Sequence, residues 1–412
     1  MQFPVGGNVL RLIGTKRIMI QRKQYLNKLI RMKDEKVIRV ITGIRSCGKS
    51  TLLALFQEYL RQNGVDDSRI ISINFEDMKY YSLLDYRKLY EYVTTRLPGG
   101  KRTYVFLDEI QNVPDFQRVV DSLYIKDNVD VYITGSNAWL LSGDLATLPS
   151  GRYIELNMLP LSFAEYFEMK GGGKREAFTS YYLNGGFPQA ASIADDEVRT
   201  DYIRGIYNTV FLKDVVAHRK ISDVELLESV TRFLLDNTGN IVSSKKIADS
   251  LVSCGRKTTS VTVENYVSAL MEAYVLYKAP RYDIKGNQYL KSLEKYYAAD
   301  VSLRHFVLGT RERDIGRILE NIVYLELVRR GYDVRVGKAG EKEVDFVATA
   351  GDKKTYYQVA ATVLDPATFQ REFEALRVIR DHYPKFVLTM DDLPMGHNGI
   401  QQMNIIDFLL DT

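Results

Sequence analysis

The run Gly43-Ile44-Arg45-Ser46-Cys47-Gly48-Lys49-Ser50, followed by Thr51, constrains this chain more than any other stretch. It fits the pattern G-x-x-x-x-G-K-[ST], and each fixed position has a physical reason. Glycines at 43 and 48 let the backbone turn tightly and aim its N–H groups at phosphates. Lys49 sets a point charge beside the β- and γ-phosphates, and the Ser50 hydroxyl can ligate Mg²⁺. The flanks supply the required frame. Val37-Ile38-Arg39-Val40-Ile41-Thr42 is a short apolar run suited to a buried parallel strand. Residues 50–62 read as a helix closed by Asn63-Gly64, its positive dipole end facing the loop. The expected ligand is ATP with Mg²⁺, bound by residues 43–51.

A second motif gives the nucleotide a use. Tyr104-Val105-Phe106-Leu107-Asp108-Glu109 is an apolar strand ending in two carboxylates. Asp108 is expected to hold Mg²⁺, and Glu109 to orient and polarise an attacking water. Alone, the run is an ordinary strand entering an acidic turn; beside the phosphate loop it indicates hydrolysis. A further strand, Val131-Tyr132-Ile133-Thr134, ends in Gly135-Ser136-Asn137. Asn137 or Ser136 can reach the γ-phosphate or its water there, and a turn closed by an Asx-type bond is the plain alternative. Arg152, after Gly151, can sense the γ-phosphate in its own or a neighbour's site, although an exposed arginine is the commoner case.

These strands, with Ile70-Ile71-Ser72-Ile73-Asn74-Phe75 and Tyr153-Ile154-Glu155-Leu156, alternate with helical patterns. That order predicts an α/β fold with a parallel sheet covered on both faces. From Pro160 onward helices dominate, over 162–169, 176–183, 197–217 and 222–236, with a break at Gly171-Gly172-Gly173. Residues 243–282 read as a helix-turn-helix unit, with 244–251 as one helix and 260–274 as the next. Val275-Leu276-Tyr277 and Lys295-Tyr296-Tyr297 are its candidate wing. The stretch 315–412 returns to mixed helix and strand.

At 412 residues the chain has room for two to four domains. No run of 18 uncharged apolar residues is present, so no membrane span is expected. The start lacks a secretory h-region, and the two cysteines, Cys47 and Cys254, cannot build a metal cage; a reducing cytoplasm is the simplest setting. His218, His305, His382 and His397 show no ligand spacing. Charge is uneven: residues 1–49 hold 12 Lys/Arg against 2 Asp/Glu. Such a basic arm can contact the phosphates of nucleotide or nucleic acid, or be a solvated helix face.

The chain resembles the bacterial and archaeal AAA-type ATP-binding proteins whose P-loop domain precedes a C-terminal domain of unknown function. The resemblance rests on residues 42–51, Leu107-Asp108-Glu109-Ile110-Gln111, Gly135-Ser136-Asn137 and Gly151-Arg152-Tyr153. It rests also on Leu159-Pro160-Leu161-Ser162-Phe163, Gly185-Gly186-Phe187-Pro188, Phe211-Leu212-Lys213-Asp214-Val215, Glu320-Asn321 and Glu343-Val344-Asp345-Phe346. It covers nearly everything from Met19 onward. It implies an AAA-like core at 19–165, a helical lid at 166–240, a winged-helix-like module at 241–312 and a nuclease-like domain at 313–412. Residues 1–18 read as an extension.

Active members of the restriction-endonuclease-like fold use a helix Glu, a strand Asp and a Glu-x-Lys. Glu320 and Asp345 match the first two, but the third reads Gln358-Val359-Ala360. Gln358 brings no negative charge for Mg²⁺ and Ala360 no lysine, so this domain is expected to be catalytically degenerate. Lys245, Lys246, Arg256 and Lys257 offer a DNA surface, against which stand Glu264 and the use of winged helices as protein-binding modules. The expected function is an ATPase whose nucleotide state gates a DNA- or protein-binding C-terminal region. The alternatives are a nucleotide-gated scaffold or signalling switch with negligible hydrolysis, and an ATP-regulated nuclease.

Overall fold

A computed structural model describes residues 20–138, 140, 151–286, 288–289, 293–311, 314–393 and 396–411. The expected extension 1–18, Met19 and the part of the basic arm within them lie outside the described residues.

The N-terminal part runs α1 (Lys23–Arg31), β1 (Ile38–Thr42), α2 (Lys49–Gln62), β2 (Ile70–Asn74), α3 (Tyr86–Thr94), β3 (Thr103–Asp108), α4 (Phe116–Tyr124), β4 (Val129–Gly135) and β5 (Tyr153–Asn157). The five strands are parallel, in the order β2-β3-β4-β1-β5. Strands β1, β3 and β4 are buried along their whole length, which is why they read as continuous apolar runs rather than alternating ones. Parallel pairing brings the C-terminal ends of β1, β3 and β4 to one edge of the sheet. The loop after β1, the carboxylates ending β3 and the turn after β4 all leave from there.

Helices follow: α5 (Phe163–Lys170), α6 (Lys174–Asn184), α7 (Pro188–Ser192) and α8 (Asp196–Thr209), which widens into a π-helical segment, Val210–Ala217. Next come α9 (Val224–Asp236), α10 (Ser244–Ser253) and α11 (Ser260–Glu272). The chain then forms β6 (Leu276–Ala279), β7 (Arg281–Asp283), β8 (Gln288–Tyr289) and β9 (Lys295–Ala298) before α12 (Val301–Leu308) and α13 (Ile315–Arg329). The last part is β10 (Asp333–Ala339), β11 (Lys342–Ala350), β12 (Lys353–Val359), α14 (Pro366–Arg377), β13 (Lys385–Thr389), β14 (Gln401–Asn404) and α15 (Ile405–Leu410).

The two pieces read as a wing pair with each other: β6 and β9 form an antiparallel ribbon with Tyr277 opposite Tyr297. The segment between them departs from that simple picture. Strand β7 lies parallel to β10, and with β8 it extends the C-terminal sheet to seven strands, ordered β14-β13-β12-β11-β10-β7-β8. The sheet therefore crosses the position, 312, where a domain boundary is expected. The apolar cores cross boundaries too. Leu52 and Phe56 of α2 share one core with Val263 and Leu270 of α11, and Leu161 and Phe163 share another with Ile318 and Phe346. Among the described residues no helix is long and apolar enough to cross a membrane.

Candidate functional site

The phosphate loop is held from below by its own sequence. Ile44 and Cys47 are fully buried, and their side chains belong to the apolar core beneath the loop. Burial pushes the Cys47 thiol up, leaving it protonated and unreactive. Gly43 has φ 139°, and a Cβ there would stand 2.1 Å from the carbonyl oxygen of Met158, so glycine is required by both conformation and space. Arg22, only 3% exposed, buttresses the loop from behind. Its guanidinium donates to the carbonyls of Cys47 (2.9 Å) and Leu159 (2.6 Å) and to Glu165 Oε1 (3.0 Å).

Lys49 Nζ donates to the Gly43 carbonyl at 3.0 Å and stands 3.6 Å from Glu109 Oε1. Glu109 follows directly on β3 in a left-handed conformation (φ 54°) that turns its side chain back toward the loop. Its N–H donates to Thr134 Oγ1 (2.8 Å), and Thr134 in turn donates to Asp108 Oδ1 (2.6 Å). One hydroxyl on β4 thus fixes both carboxylates. Asn74 Nδ2 donates to the other Asp108 oxygen at 3.1 Å. Burial would lift the Glu109 carboxyl, but Lys49, the bond from Gln111 and the nearby Arg45 together hold it below its ordinary value. Burial raises Asp108, with Thr134 and Ser50 bonding to its charged form and opposing that rise.

Ser50 and Thr51 are exposed at the start of α2. A serine hydroxyl bonded to a carboxylate fits Mg²⁺, which takes one or two such ligands and completes its shell with phosphate oxygens and water. Among the described residues no group of three or more His, Cys, Asp or Glu side chains is arranged to hold a metal unaided. Beside the loop opens a cleft of about 790 Å³ between the sheet edge and α5, α7 and α8. Lys49, Ser50, Thr51 and Glu109 line one end, while Ile20, Leu161, Met169, Pro188 and Tyr202 provide an apolar wall elsewhere.

The outlying candidates separate. Ser136 Oγ accepts from Gln111 Nε2 at 3.4 Å, which joins it to the Glu109 network, whereas Asn137 Nδ2 donates to the carbonyl of Asp214 at 3.4 Å. Arg152 stands apart from the loop of its own chain. Its carbonyl accepts from Ile38 N–H, at the opposite end of β1 from the loop. At ~3.3 Å per strand residue that is about 15 Å away. Its guanidinium pairs with Asp121 and lies over the Tyr124 ring, so it does not reach the phosphate loop of its own chain. Sequence reasoning missed Arg22, Thr134 and the role of Asp214. The sole signal for Asp214 was its place in a family motif.

In the C-terminal part Glu320, Asp345 and Gln358 do come together, around a residue that sequence reasoning did not single out. Lys295 of β9, 2% exposed, places Nζ 2.8 Å from Glu320, 2.8 Å from Glu343 and 3.2 Å from Asp345. Gln358 Oε1 accepts from the Asp345 N–H (2.6 Å), and its amide donates to Glu372 on α14 (2.6 Å). Of the candidate DNA-contacting residues, Lys245, Lys246 and Lys257 are exposed, and Arg256 pairs with Glu225 at 3.1 Å.

Residues 35–167 match a family described as an AAA domain, and residues 175–314 match a domain of unknown function. A Haemophilus influenzae protein described as uncharacterized is 37% identical over 399 residues, covering 95% of this chain and 99% of its own length. An uncharacterized Methanocaldococcus jannaschii protein is 30% identical over 362 residues, or 84% of this chain and 79% of that one. Among solved structures, a Walker-type ATPase of Pyrococcus abyssi aligns with TM-score 0.47 at 16% identity, over 72% of this chain and 98% of its own.

Proposed function

This chain belongs to the same family as the Haemophilus influenzae protein and carries an AAA domain, and from that premise we propose that it is a Mg²⁺-dependent ATPase whose nucleotide state gates its C-terminal half. The observation that carries the reading is the ionised Glu109 carboxylate held 3.6 Å from Lys49 at the open end of the phosphate loop. Passive binding gives Glu109 no task.

Residues 43–51 wrap the phosphates with main-chain N–H groups, and Lys49 leaves its loop carbonyl for the phosphate oxygens. Ser50 and Asp108 would hold Mg²⁺, which when bound neutralises charge on the β- and γ-phosphates. Glu109 orients a water on the far side of the γ-phosphorus. As the new O–P bond forms, the bond from phosphorus to the β–γ bridging oxygen breaks, leaving ADP. The water's proton passes through Glu109 to the released phosphate. Thr134 keeps both carboxylates in place. Turnover of the full chain with Mg²⁺ and ATP should fall ~10²–10⁴-fold in Glu109→Gln while ATP binding persists. Wild-type turnover no faster than that of Glu109→Gln, with or without DNA, would establish a nucleotide-gated switch instead.

The responding surface in this reading is the α10–α11 pair with its β6–β9 ribbon, a winged-helix-like arrangement with Lys245, Lys246 and Lys257 exposed for DNA. The Glu320–Asp345–Gln358 cluster is read as an ion-pair junction without nuclease activity, because Gln358, tied to the Asp345 N–H and to Glu372, stands where a third carboxylate would be needed. Linear, circular and single-stranded DNA should survive incubation with the protein and Mg²⁺ or Mn²⁺. Cleavage abolished by Asp345→Ala would overturn that.

A further inference from the structure

Among the described residues two arginines line the cleft beside the phosphate loop, Arg22 and Arg45. Arg22 is committed to main-chain carbonyls and Glu165, as described. Arg45, the third residue of the phosphate loop, is held differently. Its Nη1 donates to Glu76 Oε1 at 2.7 Å, and its Nε and Nη2 donate to the two Asp214 carboxylate oxygens at 3.2 and 3.4 Å. Neither carboxylate belongs to the loop: Glu76 follows β2, and Asp214 sits in the π-helical segment after α8. Burial works against the Arg45 charge, and Asp214 and Glu76 more than restore it. The same guanidinium stands near enough to Glu109 to help keep that carboxylate ionised.

A second positive charge therefore waits in the cleft that Lys49 and Glu109 line. Lys49 serves the β- and γ-phosphates and Glu109 faces the attacking water, so the terminal phosphate must come between them. Its three oxygens would compete with Asp214 and Glu76, the two carboxylates that hold this guanidinium. We propose that Arg45 is the cation that meets the terminal phosphate, supplied by the same chain, and that Asp214 and Glu76 hold it in reserve until ATP arrives. The inference rests on the ATPase reading above and adds a residue to it. Arg45 moves no proton, because a guanidinium stays charged; it neutralises charge spreading over the phosphoryl oxygens.

The exchange has a mechanical side. Asp214 is also the residue whose carbonyl accepts from Asn137, and the next N–H, of Ala138, donates to the Glu272 carbonyl at the end of α11 (2.7 Å). Releasing the Asp214 carboxylate frees one contact of the π-helical segment, whose Asp214 carbonyl is tied to Asn137 just past the end of β4. That end of β4 is tied in turn to α11.

The test uses the full chain with Mg²⁺, measuring ATP and ADP affinity by calorimetry together with steady-state turnover. Arg45→Gln should bind ADP within about twofold of wild type, lose ATP affinity ~10-fold, and lose ~10³-fold or more in kcat. Arg45→Lys should recover part of the ATP preference and little of kcat, since an ammonium lacks the planar fork. Asp214→Asn, which removes the competitor, should tighten ATP several-fold and leave ADP unchanged. A folded Arg45→Gln with wild-type kcat and ATP/ADP ratio would overturn the proposal. So would an Asp214→Asn that loses thermal stability with both affinities unchanged, the mark of a merely structural pair. A wild type that binds no ATP would overturn the ATPase reading together with this one, whereas an active wild type with an indifferent Arg45→Gln overturns this one alone.

Discussion

Lys295 shows how much a single buried charge can organise. Burial works against its ammonium, but Glu320, Asp345 and Glu343 hold it well above the ordinary lysine range. In the same cluster burial pushes the Glu320 carboxyl up to about 7. Between its ordinary value, ~4.3, and 7 the unfolded chain has released that proton while the folded chain retains it. Glu320 thus makes the fold less stable as pH rises through that window. Replacing Lys295 by Met removes the cation beside the buried Glu320 carboxyl, which drives its proton affinity higher still. Lys295→Met should cost about 3–5 kcal/mol at pH 8, with the deficit shrinking toward pH 5 as Glu320 takes up its proton. Urea denaturation of both proteins at the two pH values checks this, and a deficit independent of pH would contradict it. The residue also marks where sequence reading reaches its limit. Lys49, Asp108 and Glu109 were legible because their chemistry lies in runs of adjacent residues. The Glu-x-Lys pattern puts its lysine at 360, two residues beyond Gln358, yet the nearby cation comes from 295, on another strand. Asp214 was equally hidden, since it meets Arg45 across 169 residues.

At the level of elements, the two motifs Pro160-Leu161-Ser162-Phe163 and Gly185-Gly186-Phe187-Pro188 are the two halves of one joint. Leu161 N–H donates to the Gly186 carbonyl (2.7 Å), and Gly186 N–H donates to Asp300 Oδ2 (2.6 Å). A Cβ on Gly186 would stand 2.5 Å from the Leu161 carbonyl oxygen, which requires glycine there. Ser162 and Glu165 then start α5 with a reciprocal capping box, and Glu165 passes its other oxygen to Arg22 behind the phosphate loop. Gly186→Ala should lower stability by roughly 1–3 kcal/mol, as overpacking does, and weaken ATP binding through the displaced α5 and α7. Denaturant titration and calorimetry read the two effects separately. The strands of the N-terminal sheet and most helices could be found from their pattern, because burial on both faces or one writes itself into the residues. The joint could not, since a glycine's neighbour across space leaves no mark on its neighbours in sequence. Nor could the pairing of β7 with β10, whose short run carries too few residues to show a period.

Over the whole molecule, apolar interiors are shared across the expected boundaries between units. The core around Leu161 and Phe163 is completed by Ile318, Val323 and Phe346, and Arg329 reaches back to the Pro160 carbonyl (2.9 Å) and the Tyr25 hydroxyl (3.2 Å). A chain ending at 312 would uncover those apolar residues and strand β7 without its partner. It should therefore aggregate or bind hydrophobic dye, whereas the full chain stays in solution. Light scattering and size exclusion of the two chains decide the point, and a monomeric, folded 20–312 fragment would show that the interiors are separable. The excursion of β7 and β8 also carries a consequence in time. Synthesis proceeds from the N-terminus, and β7 ends at Asp283 while β10 begins only at Asp333, some fifty residues later. At ~5–20 residues per second a nascent chain waits about 3–10 s with this hairpin extended and its landing strand not yet made. The ribosome thereby sets an order of assembly: the nucleotide-binding sheet can close early, and the middle of the molecule is sealed only when its far end emerges.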